Sequence, residues 1–170
     1  MRPRAKSLLA AVFFVAVSFA AAGVGQLAGP AGGGAWYRQL DKPAFTPPSW
    51  VFGPVWTALY LTMGVAAWLV WRRRGSADTR LPLGLFGVQL ALNAAWSILF
   101  FGLQQIGLAL FEIVILWFAI LATLLLFWRL DRVAGALLLP YLAWLTFAGA
   151  LNLTLWRMHP GASCHPGRPR

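Results

Sequence analysis

Five long apolar stretches dominate this sequence of 170 residues, and none of them contains Lys or Arg. They cover residues 7–28, 50–71, 81–103, 106–128 and 133–156. Each has close to the roughly 20 residues that cross a bilayer as an α-helix, which satisfies every backbone hydrogen bond within lipid. The strict alternation of a transmembrane β-barrel is absent. The sequence therefore predicts an all-α integral membrane protein: one domain of five transmembrane helices, residues 1–157, followed by a flexible tail, residues 158–170.

Composition and charge agree with a chain that lies in lipid. Hydrophobic side chains make up 60% of the sequence and charged ones 11%, whereas soluble domains have about 25% charged residues. The net charge of +10 comes from 14 Lys and Arg against 4 Asp and Glu. These cations lie almost entirely between or beyond the apolar stretches, where they would face phospholipid head groups. We therefore expect membrane lipids as partners and no nucleic acid.

The cations also indicate an orientation. Nine Lys and Arg fall on the side that holds the N-terminus and five on the other side, which favours a cytoplasmic N-terminus and an external C-terminus. We predict a multi-pass protein of the bacterial cell membrane, with the outer membrane as the alternative. The first stretch also fits a cleavable signal peptide over residues 1–22, although its length favours a retained helix.

One connection between the stretches is much longer than the others. Residues 29–49 contain three consecutive glycines, an aromatic pair and several prolines. Prolines fix the backbone angle φ and restrict the residue before them, so this segment should be irregular but stiff. Because its aromatic side chains are hydrophobic and favour burial, we expect it to fold over the bundle as a lid.

Polar and aromatic side chains at helical spacing predict a common interior beneath this loop. The stripes are Phe52, Trp56 and Tyr60 in the second stretch, Gln89, Asn93, Trp96 and Phe100 in the third, and Tyr141, Trp144 and Ala148 with Leu151 or Asn152 in the fifth. Amides that face lipid cost several kcal/mol unless they are bonded, so the stripes should face inward. Converging flat rings favour a site for a large, flat, mostly apolar ligand, and aromatic packing with interhelical amide bonds is the alternative. Tryptophans at the ends of the stretches fit an interfacial belt: Trp50, Trp68, Trp71, Trp128 and Trp156.

Two further features have both functional and structural explanations. Glu112 is the one ionisable side chain inside any stretch, and it fits either a proton or cation site or a carboxyl group that reaches the interface. Gly87, Ala91 and Ala95 form a stripe of small residues that suits either a homodimer interface or packing within the chain. The spacing of the His and Cys residues in the tail matches no zinc pattern, so no metal site is expected.

Four groups of residues carry a resemblance to a known family. They are Trp36-Tyr37 with Leu40, Lys42-Pro43, Pro47-Pro48 and Trp50; Gly53-Pro54-Val55-Trp56 with Leu59-Tyr60; Gln89 with Asn93, Trp96 and Phe100-Phe101-Gly102; and Pro140-Tyr141-Leu142-Ala143-Trp144 with Ala148, Leu151-Asn152 and Trp156-Arg157. In combination they resemble the TspO/MBR family, which comprises tryptophan-rich sensory proteins and the mitochondrial translocator protein, or peripheral-type benzodiazepine receptor. The resemblance covers most of the chain.

The resemblance implies a five-helix bundle, commonly a dimer, that binds porphyrins such as protoporphyrin and haem, sterols in some members, and benzodiazepine-type drugs. It implies no obligatory cofactor. The ligand-binding residues that it implies are Trp36, Tyr37, Phe52, Trp56, Asn93, Trp96, Trp144, Ala148 and Leu151. Leu153 stands where animal members carry the tyrosine of a sterol motif, and Leu108 replaces an aromatic residue of those members, so neither sterol nor drug binding is implied here.

Three functions follow as hypotheses. The first is a binding protein for tetrapyrroles that acts as a sensor, scavenger or transporter, with the propionates of the ligand near Arg38 or Lys42. The second is an enzyme that degrades bound porphyrin with light and oxygen, to which the family resemblance would assign Trp56 and Trp144. Conventional catalysis is not expected, because the sequence has no nucleophile and base pair, no metal-ligand cluster and no phosphate loop. The third is an ion-coupled transporter centred on Glu112, or a membrane scaffold.

Overall fold

The computed structural model describes residues 3–28 and 34–159, and these residues contain helices and no strand. The helices are α1 (Pro3–Ala28), α2 (Gly34–Gln39), α3 (Ser49–Arg72), α4 (Arg80–Ser97), α5 (Ile106–Leu130), α6 (Arg132–Ala136) and α7 (Leu139–Met158). A 3-10 turn, Arg73–Gly75, follows α3, and a π-helical turn, Ile98–Gly102, follows α4. Five segments are long and apolar enough to cross a membrane. The predicted all-α membrane bundle with five spans is therefore confirmed.

The fifth span differs from its prediction as one continuous helix. It is broken between α6 and α7, where Leu137 and Leu138 join the two helices. Pro140 lies in the first turn of α7. A proline is accepted in a first turn, where no partner for its missing N–H is needed, but it interrupts a helix that runs through it.

The five spans form a ring that is closed tightly at one end. α1 packs against α3 and α4, α5 packs against α4 and α7, and α6 packs against α3. We call the end with α2 and its loop the loop end. The opposite end, which carries Arg72, Arg73, Arg74, Arg80, Arg129 and Arg132, is the arginine end. Along the described residues the backbones of α3 and α7 do not pack closely, so the ring is open towards the loop end.

Small residues bring the backbones together in the arginine half of the bundle. A Cβ added to Gly64 of α3 would lie 2.6 Å from the Cα of Val15 in α1, and one added to Gly135 of α6 would lie 2.8 Å from the Cα of Trp128. Contacts this short leave no room for a side chain. The core around them is buried and apolar, and it includes Met63, Ala66, Ala67, Val70, Phe86, Leu116, Phe127, Ala134 and Leu138.

Asp131 fixes the turn between α5 and α6 at the arginine end. Its Oδ1 accepts hydrogen bonds from the backbone N–H groups of Val133 and Ala134, at 3.0 and 3.2 Å, and therefore caps α6. Its Oδ2 forms a salt bridge of 2.9 Å with Arg73. The Arg73 bond, together with the two backbone bonds, lowers the pKa of the Asp131 carboxyl below its ordinary value. One side chain thus joins the ends of α3, α5 and α6.

The π-helical turn changes the direction of the chain at the loop end of α4. The N–H of Leu103 donates to the carbonyl of Ile98 at 2.8 Å, a separation of five residues instead of the four of an α-helix. Gln104 follows with a φ of 57°, in the left-handed region that few side chains adopt. These two features let a very short connection lead from α4 back into α5.

Candidate functional site

A cavity of about 700 Å³ lies at the loop end of the bundle. Its walls come from α1, α3, α4 with its π turn, α7, and the loop segment that holds α2. The aromatic residues of the lining are Phe19, Tyr37, Trp50, Phe52, Trp56, Tyr60, Trp96, Phe100, Phe101, Trp144 and Phe147. The volume lies within the roughly 300–1,000 Å³ of typical small-molecule sites. The cavity occupies the space between α3 and α7, where the ring of helices is open.

Periodic spacing on α3 and α7 places the rings of the two walls. Phe52, Trp56 and Tyr60 follow one another at four-residue intervals and so share one face of α3. The rings of Trp56 and Tyr60 stack with centroids 5.4 Å apart, and Phe52 meets Trp144 of α7 edge to face at 5.8 Å. On α4, Trp96 stacks on Phe100 of the π turn at 5.0 Å. These contacts bring aromatic rings of α3, α4 and α7 to the cavity, in addition to Phe19 of α1 and Tyr37 of α2.

A chain of hydrogen bonds lies beneath these rings. The hydroxyl of Tyr60 donates to Oδ1 of Asn93, and Nδ2 of Asn93 donates to the hydroxyl of Tyr141 at 2.9 Å. The exposure of Asn93 is 1%, and Asn93 does not form part of the lining. Both polar atoms of its side chain are already bonded to tyrosines, so the structure places this residue below the cavity and not at its surface.

A second amide joins α4, α5 and α7 beside the cavity. Asn152 accepts a hydrogen bond from the indole N–H of Trp96 at 3.2 Å and donates to the carbonyl of Ile106 at 3.0 Å. The interaction fixes the plane of the Trp96 ring. Ala148 and Leu151 of the same helix α7 also line the cavity, in agreement with the helical spacing in the sequence.

The described part of the long loop covers the cavity. Tyr37 of α2 is buried, with its ring edge to face with Phe100 at 6.1 Å and Phe101 at 5.7 Å. Burial raises the pKa of the Tyr37 phenol above its ordinary value. Trp36 packs on Phe100 at 6.0 Å and is not part of the lining, so it holds α2 in place. The lid that the sequence predicts is therefore present. Residues 29–33, which include the first two of the three consecutive glycines, are outside the described residues.

Seven of the nine predicted ligand-binding residues line one cavity. They are Tyr37, Phe52, Trp56, Trp96, Trp144, Ala148 and Leu151. The two exceptions, Trp36 and Asn93, each contact a member of the lining. The sequence did not indicate the contribution of α1, which adds Phe19, Ala22, Gly25 and Gln26. α1 has no amide or aromatic stripe at helical spacing, and Gln26 near its end is the polar residue that could have indicated this wall.

Some of the other tryptophans have roles that the sequence did not assign. Trp117, on the outer side of α5, donates from its indole N–H to the hydroxyl of Thr146 at 2.8 Å and so joins α5 to α7. Trp68 donates to the backbone carbonyl of Ser7 at 2.9 Å and joins α3 to α1. Trp50 is 74% exposed and lies at the mouth of the cavity. Two tryptophans of the predicted interfacial belt therefore have a further role, Trp68 in joining helices and Trp50 in lining the cavity.

Glu112 lies outside the cavity lining. It is 8% exposed, and neither carboxyl oxygen has a hydrogen-bond partner among the described residues. Oε1 of Gln89, in α4, is also buried and without a partner there. Such groups are costly to bury unless water, an ion or a proton satisfies them. Glu112 is therefore a candidate functional residue outside the cavity.

The described residues hold no cluster of three or more His, Cys, Asp or Glu side chains that suits a metal ion. His159 contacts the carbonyl of Leu155 at 3.2 Å, while Cys164 and His165 are outside the described residues. The stripe of Gly87, Ala91 and Ala95 includes an open position, because a Cβ on Gly87 would meet no atom within 4 Å. A homodimer through this stripe stays a prediction.

Comparison with known proteins gives a consistent result. A model of the TspO/MBR family matches residues 12–157, from α1 into α7. The chain is 40% identical to Protein CrtK of Rhodobacter capsulatus over 90% of this chain and 94% of that protein. It is 44% identical to the Translocator protein of Homo sapiens over 74% of this chain and 76% of that protein. For the Tryptophan-rich sensory protein of Cereibacter sphaeroides the identity is 40%, over 73% and 77% of the two chains.

Proposed function

This chain belongs to the TspO/MBR family, and from that premise we propose that it binds tetrapyrroles such as protoporphyrin or haem in the membrane. It would act as their sensor, scavenger or transporter. Family membership and the five spans already support a multi-pass membrane protein with a sensor or translocator role. The tetrapyrrole is the part that we add.

One observation carries the proposal: aromatic rings from α3, α4 and α7 converge on one cavity of about 700 Å³. A porphyrin is a broad, flat and mostly apolar ring, which gains most from stacking against other flat rings. Trp56 of α3 and Trp144 of α7 both line the cavity, and Phe52 of α3 contacts the Trp144 ring edge to face. A long aliphatic ligand would gain less from these rings, because it has no flat face that stacks on them.

The test is a titration of the purified protein in detergent with protoporphyrin, followed by tryptophan fluorescence. We expect saturable quenching, and an apparent Kd about fivefold higher in Trp144→Phe, because the smaller ring of Phe loses stacking area that contributes about 1 kcal/mol. Trp117→Phe is the matched control, because Trp117 lies on α5 outside the cavity. Absence of saturation, or equal Kd values in both variants and the wild type, would contradict the proposal.

The position of Trp56 and Trp144 in one lining also favours a second function, the degradation of bound porphyrin by light and oxygen. The indole rings would serve as electron donors to the excited porphyrin. Porphyrin absorbance in the illuminated complex should then decay faster than in detergent alone, and more slowly in Trp144→Phe. Equal decay in the complex and in detergent would remove this function.

The buried carboxyl of Glu112 favours a third function, ion-coupled transport. In proteoliposomes, Glu112→Gln should abolish any substrate-dependent proton or sodium flux. Asp78→Asn is the control, since Asp78 is an exposed acid at the arginine end. Flux that is unchanged by Glu112→Gln would exclude a role for this residue in transport.

A further inference from the structure

The mouth of the cavity carries the only charges in its described lining. Arg38 and Lys42 are both part of the loop that forms the lid, and no Asp or Glu side chain is among the lining residues. The other polar groups of the lining are neutral hydroxyls, amides and indoles. The site is therefore polarised, with a cationic mouth and a neutral aromatic floor, and this suits a ligand whose apolar body carries an acidic group at one edge.

Lys42 is already engaged by the lid itself. Its Nζ donates to the carbonyls of Arg38 and Leu40, at 3.2 Å each. These carbonyls lie at the C-terminal end of α2, where helix carbonyls lack partners within the helix and where a positive charge is favourable. The same ammonium lies 5.0 Å from the centre of the Tyr37 ring, within the range of a cation–π interaction. The ammonium of Lys42 thus holds α2 and Tyr37 together.

The guanidinium of Arg38, in contrast, is not bonded to the lid in the described residues. The side chain is exposed, and among the described residues it makes no hydrogen bond and no salt bridge, since the salt bridge found there joins Arg73 and Asp131. Only its backbone carbonyl is used, by Lys42. A guanidinium offers donors in a planar fork that matches both oxygens of a carboxylate. Arg38 is therefore the cation at the mouth that remains available to a ligand.

We propose that Arg38 is a specificity-determining residue that binds a carboxylate at the edge of the ligand, while Lys42 is a positioning residue that keeps the lid closed. The apolar body of the ligand would lie below, against the rings of Trp56 and Trp144. The inference rests on the proposed function for that apolar body, and it adds the acidic group as a requirement. Arg38 and Lys42, four residues apart in the sequence, would therefore have different roles.

The experiment compares two probes with the same macrocycle, protoporphyrin with its two charged propionates and protoporphyrin dimethyl ester, in which both propionates are neutral methyl esters. Both are titrated into the wild type, Arg38→Gln and Lys42→Gln in detergent. Arg38→Gln should raise the Kd of the diacid about tenfold, as expected for one charge-assisted pair, and leave the Kd of the ester unchanged. Lys42→Gln should raise both Kd values by the same factor, because an open lid weakens every ligand.

Salt and a conservative variant give independent readouts. The Kd of the diacid in the wild type should rise with NaCl concentration, and this dependence should weaken in Arg38→Gln. Arg38→Lys should recover part of the affinity for the diacid, since it keeps the charge but loses the planar fork.

The outcomes separate this inference from the proposed function. If Arg38→Gln changes the Kd of diacid and ester equally, or if Lys42→Gln alone discriminates between them, the assignment of Arg38 is wrong while porphyrin binding stands. If the wild type binds neither probe saturably, the proposed function fails and the inference fails with it.

Discussion

The loop end and the arginine end of this bundle use their residues in opposite ways. At the arginine end, Gly64 lets the backbones of α3 and α1 approach closely, and Ala66 and Ala67 are fully buried in an apolar core. At the loop end, Trp56 and Trp144 stand between helices whose backbones stay apart, and a cavity of about 700 Å³ remains. The arginine half therefore provides stability and the loop half provides space for a ligand. Substitutions in the two halves should affect stability and ligand binding separately.

The largest loss of stability is expected for Gly64→Ala. The new Cβ would lie 2.6 Å from the Cα of Val15, an atom that cannot move without shifting α1. We expect the free energy of unfolding to fall by about 3 kcal/mol, the upper range for overpacked cores. Thermal unfolding in detergent measures this. Gly53→Ala on the same helix α3 is the control, because its Cβ would meet nothing within 4 Å; equal losses in both would contradict a tightly packed arginine half.

Tyr60 lies where the cavity meets the packed core, and Tyr60→Phe should cause the second largest loss of stability. It removes the hydroxyl that donates to Asn93 and leaves a buried amide oxygen without that partner. A loss of about 2 kcal/mol in unfolding free energy is expected for such a group. Tyr37→Phe is the control, since no hydrogen bond of the Tyr37 hydroxyl is found among the described residues. If both variants unfold like the wild type, the hydrogen-bonded chain contributes no stability.

Asp131→Ala should cost about 1 kcal/mol, because α6 loses its N-terminal cap at the arginine end. Asp131→Asn keeps a capping oxygen and loses the charge that pairs with Arg73.

The pH dependence of Asp131 follows from its lowered pKa. A carboxyl with a lower pKa in the folded state stabilises the protein above its pKa in the unfolded state, about 3.9. The stability that wild type has over Asp131→Asn should therefore be constant near neutral pH. It should disappear as the pH falls from about 3.9 through the lower pKa of the folded state. If the stability of the wild type relative to Asp131→Asn increased as the pH falls, the prediction would be wrong.

The smallest effect is expected for a pair of threonines that make the same bond in different surroundings. Thr57 and Thr123 each donate to the carbonyl four residues earlier in their helix, at 2.9 and 2.7 Å. Thr57 is exposed and lines the cavity, whereas Thr123 is 1% exposed. Thr57→Ala should change the unfolding free energy by less than about 0.5 kcal/mol. Thr123→Ala should lower the unfolding free energy by more, because it leaves a void in a packed core. Equal losses in the two variants would contradict the difference in packing between the two ends.

Much of this arrangement could be predicted from periodic patterns. The stripe of Phe52, Trp56 and Tyr60 indicated the wall on α3, because residues four apart share a face whatever they contact. The same rule placed Asn93 on the inside, but it cannot distinguish a residue at the cavity surface from one a layer below. The position of Asn93 below the surface depends on Tyr141 of another helix, whose hydroxyl accepts a hydrogen bond from the Asn93 amide.

The remaining features depend on packing that leaves little trace in a single sequence. The wall from α1 is built from residues such as Ala22 and Gly25, which are equally suited to lipid or to a helix neighbour. The different tasks of Arg38 and Lys42 depend on where the C-terminal carbonyls of α2 point. The break between α6 and α7 had a local signal in Pro140, since a proline begins helices more readily than it continues them.

The π-helical turn Ile98–Gly102 contains one residue more than an α-helix would need at the same place. Each residue of an α-helix rotates the chain by roughly 100°. Deleting one residue here would restore α-helical geometry and turn Phe100 and Phe101 away from their present directions, while Asn93 one turn earlier would keep its register. Because Phe100 and Phe101 line the cavity, such a deletion would alter the aromatic wall at the loop end and not the core at the arginine end.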